Sequence, residues 1–192
     1  MKKISVFLLL AFSLVACAER LSESEQALIR RHGGGIMPVM SIAQEADSLL
    51  LRRSSAELSE SIALSEDFAL LKASMLATVR DPENEGVGIA APQVGVLRRV
   101  VAVQRFDKKG EPFEFFLNPQ IVERSSTTQF GGEGCLSVPD LSGNVERAEW
   151  IVLRYRDEAW REQQETIKGF TAVIFQHEVD HLDGRLFIDY LK

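Results

Sequence analysis

The segment Gln176-His177-Glu178-Val179-Asp180-His181 constrains this chain more than any other. On a helix, His177 and His181 stand one turn apart on one face, so two imidazoles can hold one metal ion. Glu178, between them, is close enough to act on a water at that ion. The surrounding residues predict such a helix from about Phe170 to Leu182, closed by Gly184. Two histidines on a polar surface helix would show the same spacing, and an isolated pattern of this kind also arises by chance. A catalytic ion needs a third protein ligand and an open position. Zinc peptidases take that ligand from a Glu or His farther along the chain, but Leu182 to Lys192 contain neither. His32 lies upstream beside Gly33-Gly34-Gly35 and is poorly placed. The search therefore moves to Cys135 in Glu133-Gly134-Cys135-Leu136-Ser137, where a flanking glycine favours access and a thiolate is a good ligand. A buried small apolar cysteine is the plain alternative.

The strand and helix signals around this segment indicate an α+β domain, with mixed or antiparallel strands packed around a central metal-binding helix. Ser65 is a good N-cap for a helix carrying Phe68, Leu71, Met75 and Val79 at helical spacing, stopped at Asp81-Pro82. A shorter helix is expected near Ser54 to Ala63. Val100 to Val103 and Phe113 to Leu117 read as strands joined through Lys108-Lys109-Gly110, and Gln120 to Gln129 as extended chain. Val145 to Arg156 reads as one long strand, followed by another at Gln164 to Lys168. With 45% hydrophobic and 26% charged residues, the 192-residue chain has the composition of a globular domain. A net charge of −6 argues against a nucleic-acid groove, which needs a basic face.

Residues 1–16 read as a lipoprotein signal peptide. Lys2 and Lys3 precede the short apolar run Ile4 to Val15, and Leu14-Val15-Ala16-Cys17 resembles a lipobox. Cleavage before Cys17 leaves 20 Lys and Arg against 28 Asp and Glu, a net charge of −8. Lipid on Cys17 would anchor the chain to a membrane on the envelope side, at the outer membrane or facing the periplasm, without spanning it. Residues 17–36 are then expected to form a tether, with a short helix as the other reading of 18–35 before the break at Gly33-Gly34-Gly35, and 37–192 the catalytic domain. Translation from Met37 or Met40 would instead give a cytoplasmic enzyme.

Gly86-Val87-Gly88-Ile89-Ala90-Ala91-Pro92-Gln93 is not a dinucleotide fingerprint, because position 91 is Ala and Pro92 interrupts the required helix. Taken in order with EGCLS and QHEVDHLDG, it resembles the three signature motifs of bacterial peptide deformylases. Weaker similarity runs from about Met37 to the C-terminus, through Asn118-Pro119 and Leu186-Phe187. The resemblance implies hydrolysis of the N-formyl group of formyl-methionyl peptides. It implies one divalent ion held by Cys135, His177 and His181, with water in the fourth position. The family ion is Fe(II), while Zn(II) also suits one thiolate and two imidazoles. Glu178 takes a proton from the attacking water and later gives it to the leaving amine. The Gln93 side chain and the Leu136 N–H form the oxyanion hole.

By the same resemblance, Val87 and Gly88 line the methionine pocket, and Glu133 and Arg147 pair behind Cys135. Val173 and Ile174 share the His177 face, with Phe170 a turn farther back, so they are expected in the same pocket. Many family members continue past Leu186-Phe187 into a basic helix that docks on the ribosome. Here only Ile188 to Lys192 follow, and no ribosome docking is expected. Asp140-Leu141-Ser142-Gly143 also lacks an Arg that some members use on the substrate backbone. Two other readings are a zinc peptidase using the histidine pair, and a catalytically silent envelope lipoprotein that binds metal or peptide.

Overall fold

The computed structural model describes residues 20–191. The expected signal peptide and Cys17 lie outside the described residues. Among the described residues no helix is long and apolar enough to cross a membrane.

The first helix, α1 (Glu23–His32), is built by a reciprocal cap: Ser22 Oγ accepts from Glu25 N at 3.2 Å and Glu25 Oε2 accepts from Ser22 N at 2.8 Å. Gly33, at φ 56°, ends it by donating to the Ile29 carbonyl. The expected tether over 17–36 is therefore corrected for residues 20–36. Leu21 and Ile29 are buried in one cluster with Phe68, Leu71 and Met75. Arg98 grips Glu25 at 2.9 and 2.8 Å, and Arg30 reaches Asp67 at 2.6 Å. The segment is polar because its buried stripe is narrow and its charges are paired with distant partners, not because it is loose.

Next come α2 (Glu45–Leu51), which the sequence reading missed, and α3 (Glu60–Ala63), a single turn where a longer helix was expected. Ser65 caps α4 (Glu66–Val79), accepting from Phe68 N at 3.2 Å, and the four predicted apolar positions of α4 are buried. The strands are β1 (Gly88–Ala90), β2 (Val100–Gln104), β3 (Phe113–Arg124), β4 (Thr128–Cys135), β5 (Val138–Ala148), β6 (Trp150–Arg156) and β7 (Glu162–Lys168). β1, β2, β3, β6 and β7 form one antiparallel sheet in that order, and β4 and β5 form a separate antiparallel pair. The predicted strand over 145–156 thus divides at Glu149. Ala148 pairs with Thr128 in the small sheet, while Trp150 pairs with Lys168 in the large one. Extended chain runs on through the change of partner, and the sequence does not say which strand each half pairs with.

Side-chain alternation along β2 explains the layers. Val100 and Ala102 join the cluster with α1 and α4, whereas Val101 and Val103 join Phe116, Ile151 and Leu153. That second cluster receives Ala172, Ile174, Phe175 and Val179 of α5 (Gly169–Leu182). The sheet is therefore covered by α4 on one face and α5 on the other, the expected α+β arrangement. A smaller cluster of Val138, Val145, Leu186 and Phe187 supports the β4–β5 pair.

Candidate metal centre and substrate cleft

Gln176 fixes α5 to β5: its Oε1 accepts from Ala148 N and its Nε2 donates to Ala148 O, both at 3.0 Å. The next residues, His177, Glu178 and His181, then meet the end of β4. There the register slips between Gly134 and Cys135, and the chain turns through Leu136 and Ser137. One ligand atom from each of Cys135, His177 and His181 lies within 4.8 Å of the others, and Cys135 Sγ is 3.2 Å from His181 Nε2.

Electrostatics sets the protonation of this cluster. His181 is buried, and burial holds its pKa well below the ordinary value, so its imidazole is neutral. Burial alone would raise the Glu133 carboxyl, but hydrogen bonds from His177 and Arg147 outweigh it and bring it down to about 2. An ionised Glu133 can only accept, so His177 Nδ1 donates to Glu133 Oε2 at 2.8 Å and the ring is oriented. Burial alone would lower the His177 pKa, but hydrogen bonds with Cys135 and Glu133 outweigh it and push it up to about 10, so an ion held at Nε2 would take the place of a proton there. Glu178 stands apart from these contacts. Burial pushes its carboxyl up to about 7, and its Oε2 has no hydrogen-bond partner among the described residues.

Gln93 sits on the short turn Ala91–Val94 after β1. Its Oε1 accepts from Ala90 N at 2.9 Å, which turns the amide nitrogen toward Cys135 Sγ, 3.6 Å away, and Ser137 Oγ, 3.4 Å away. A cavity of about 380 Å³ opens over the cluster. Gly88 forms one wall: a Cβ there would collide with Glu178 Oε1 and lie 2.8 Å from Ile174 Cγ2.

The sequence profile of the polypeptide deformylase family matches residues 39–192. The chain belongs to the polypeptide deformylase family. It is 41% identical over 150 residues to a peptide deformylase of Leptospira biflexa, covering 74% of this chain and 83% of that protein. Its fold is similar to a class I type b peptide deformylase from Acinetobacter baumannii, with a TM-score of 0.74 and 39% identity over 82% of this chain and 99% of that one. A structure of the Acinetobacter enzyme with Met-Ala-Ser bound gives a TM-score of 0.73 at 36% identity, with the same coverage.

In this deformylase-family chain, most of the residues singled out in the sequence line one cavity: Val87, Gly88, Gln93, Glu133, Cys135, Leu136, Phe170, Val173, Ile174, His177 and Glu178. Phe170 is at its rim, 54% exposed and stacked obliquely on Phe106 at 5.3 Å. Arg147 is outside the cavity wall, holding Glu133 from behind at 2.8 and 3.0 Å. His181 is buried beside the cavity, whereas His32 is half-buried at the end of α1 and contacts the Ile36 carbonyl. Sequence reasoning missed Asp180 and Tyr190. Arg147 also pairs with Asp180, whose other oxygen accepts from Tyr190 Oη at 3.0 Å, and the Tyr190 ring lies 4.6 Å from the guanidinium. Asn84 and Glu85 complete the cavity mouth.

The donor set fits a divalent deformylase metal. A thiol and two imidazoles converge, one imidazole is neutral, and the other is oriented by a carboxylate. Glu178 lines the same cavity with its Oε2 buried and unpartnered among the described residues, and it is not one of the three converging side chains.

Proposed function

We propose that this chain hydrolyses the formyl amide of formyl-methionyl peptides, with a divalent ion held by Cys135, His177 and His181. The observation that carries the reading is the convergence of Cys135 with both α5 histidines, which supplies a third ligand from β4 rather than from downstream. When bound, the ion supplies Lewis acidity and lowers the pKa of a neighbouring water.

The side chains account for the remaining steps. Glu178, with a carboxyl raised to about 7, takes a proton from the attacking water and returns it to the leaving amine. Gln93 Nε2 and the Leu136 N–H donate to the formyl oxygen as it becomes negative, each contributing about 3 kcal/mol to transition-state stabilisation. Gly88 brings the β1 backbone close to Glu178, where even one added methyl group would collide with its carboxylate, and such a tight wall favours a formyl hydrogen over a larger acyl group. Val87, Val173, Ile174 and Phe170 offer an apolar surface for the methionine side chain. Met-Ala-Ser, the peptide bound to the Acinetobacter relative, also begins with methionine. A peptidase using the same histidines is disfavoured because the scaffold and the third ligand are those of a deformylase.

The ion is Fe(II) by family resemblance. Zn(II) matches the same donors and withstands an oxidising compartment. The proposed location is the cell envelope, with lipid on Cys17, and free formyl peptides rather than ribosome-bound chains as substrate. Start sites at Met37 or Met40 are disfavoured on physical grounds. They would remove Leu21 and Ile29 from the core and leave Arg98, 6% exposed, without Glu25. Metal analysis of anaerobically purified protein tests the ligand set. One ion per chain is expected, and it should be lost in Cys135→Ala. An ion retained in full by that variant would overturn the assignment.

A further inference from the structure

If Cys17 carries lipid, as proposed above, the correction at α1 changes how the enzyme meets the membrane. Leu21 is buried, Glu25 is clamped by Arg98, and Arg98 Nη2 also donates to the Arg20 carbonyl at 3.0 Å. The chain is therefore part of the rigid domain from Arg20 onward. Three residue steps separate Cys17 from Arg20, and fully extended chain covers at most about 11 Å in that length. The described domain therefore begins within about 11 Å of Cys17.

We propose that the end of the molecule formed by the start of α1 and the end of α2 rests directly on an anionic lipid surface, with Arg20, Leu49 and Arg53 as its contacts. A groove of about 370 Å³ lies between these elements, with Ser22, Ser24, Leu50 and Arg53 in its walls. Leu49, beside Leu50, is 65% exposed, the pattern of an apolar side chain available to the headgroup–acyl boundary. Arg20 and Arg53 are exposed and enter no ion pair among the described residues. Arg52 is paired with Asp189 and Glu25 with Arg98, while Glu23 on the first turn of α1 and Glu45, one turn before Leu49 on α2, are exposed acids that oppose them. This end thus carries unpaired arginines on a chain whose mature charge is −8, and each arginine near an anionic bilayer favours binding by about fivefold.

The underlying backbone is firm. Ser55 N donates to Leu182 O and Ala56 N to Leu97 O, and a Cβ on Gly184 would lie 2.5 Å from Arg52 O. The groove shares no lining residue with the catalytic cavity. Lipid seated on this groove therefore covers none of the residues that line the catalytic cavity.

The test is hydrogen–deuterium exchange of the lipidated mature chain on vesicles containing phosphatidylglycerol, with the soluble Cys17→Ser chain as reference. Exchange at 20–24 and 52–54 should slow by at least about tenfold, with 128–134 unchanged. Arg53→Glu combined with Leu49→Ser should abolish that protection while leaving turnover of a free formyl peptide intact. A Gly-Ser spacer of about 20 residues after Ala18, reaching about 25 Å, should weaken it. A lipidated chain with unprotected 20–24 and 52–54, or with protection centred on 128–134, overturns the docking alone. Absence of an acyl mass on Cys17 overturns the anchoring and the docking together, leaving the deformylase chemistry untouched.

Discussion

Arg147 holds Glu133 by two hydrogen bonds, Nε to Oε1 at 2.8 Å and Nη2 to Oε2 at 3.0 Å, and Glu133 in turn holds His177. Both partners are nearly inaccessible, with side chains 5% exposed. The pair therefore connects β5, β4 and α5 at the point where the proposed ligands meet. Removing one partner leaves charge in a buried site rather than merely deleting a contact.

Arg147→Ala should accordingly strand both Glu133 and Asp180. We expect a loss of about 3–5 kcal/mol in unfolding free energy, with weaker metal retention. Chemical denaturation of the wild type and variant checks this, and a difference below about 0.5 kcal/mol, the range of an ordinary surface substitution, would contradict it.

Glu178→Gln keeps the shape of the side chain but cannot accept and return the proton. Turnover should fall by about 10²–10⁴-fold with metal content unchanged. Elemental analysis beside the kinetic assay separates the roles: loss of the ion in this variant would make Glu178 a ligand.

Gly88→Ala should act on the chemistry more than on the fold. The new methyl group would meet Glu178 Oε1 and Ile174 Cγ2, displacing the proton carrier from its position. A fall of about 10²-fold in kcat/KM with a near-native thermal transition is expected, because small misplacements of a catalytic group cost rate. Wild-type activity in this variant would show that the cleft is not tight there.

Acid should loosen α1. Burial opposes ionisation of Glu25, but Arg98 and the Ser22 cap outweigh it and hold its carboxyl below the usual range. A depressed folded-state pKa contributes stability that is present above the unfolded value and lost as pH falls through the folded one. The stability gap between wild type and Glu25→Gln should therefore be largest near neutral pH and shrink in acid. Denaturation curves at several pH values test the sign, and a gap that widens in acid would contradict it.

The helices and the site were legible to different degrees, for physical reasons. α4 and α5 were readable because caps and apolar spacing are local properties. The cap formed by Ser22 and Glu25 was also local, but polar composition left a short helix and a tether both open. Docking of α1 depends on Arg98 and Asp67, far away in sequence. The division of 145–156 depends on which strand each half pairs with, and alternation carries no such information. Cys135, His177 and Glu178 could be singled out by residue chemistry and motif. Asp180 and Tyr190 could not, because an acid on a helix ordinarily faces water and only the fold brings Arg147 between them.

The most direct test of the account is a side-by-side assay of the purified chain on formyl-Met-Ala-Ser, acetyl-Met-Ala-Ser and unblocked Met-Ala-Ser, reading formate and peptide products together. The account predicts formate and intact Met-Ala-Ser from the formylated peptide alone, abolished by chelation and restored by added Fe(II) or Zn(II). Cleavage of internal peptide bonds without formate, or formate release unaffected by complete metal removal, would contradict it.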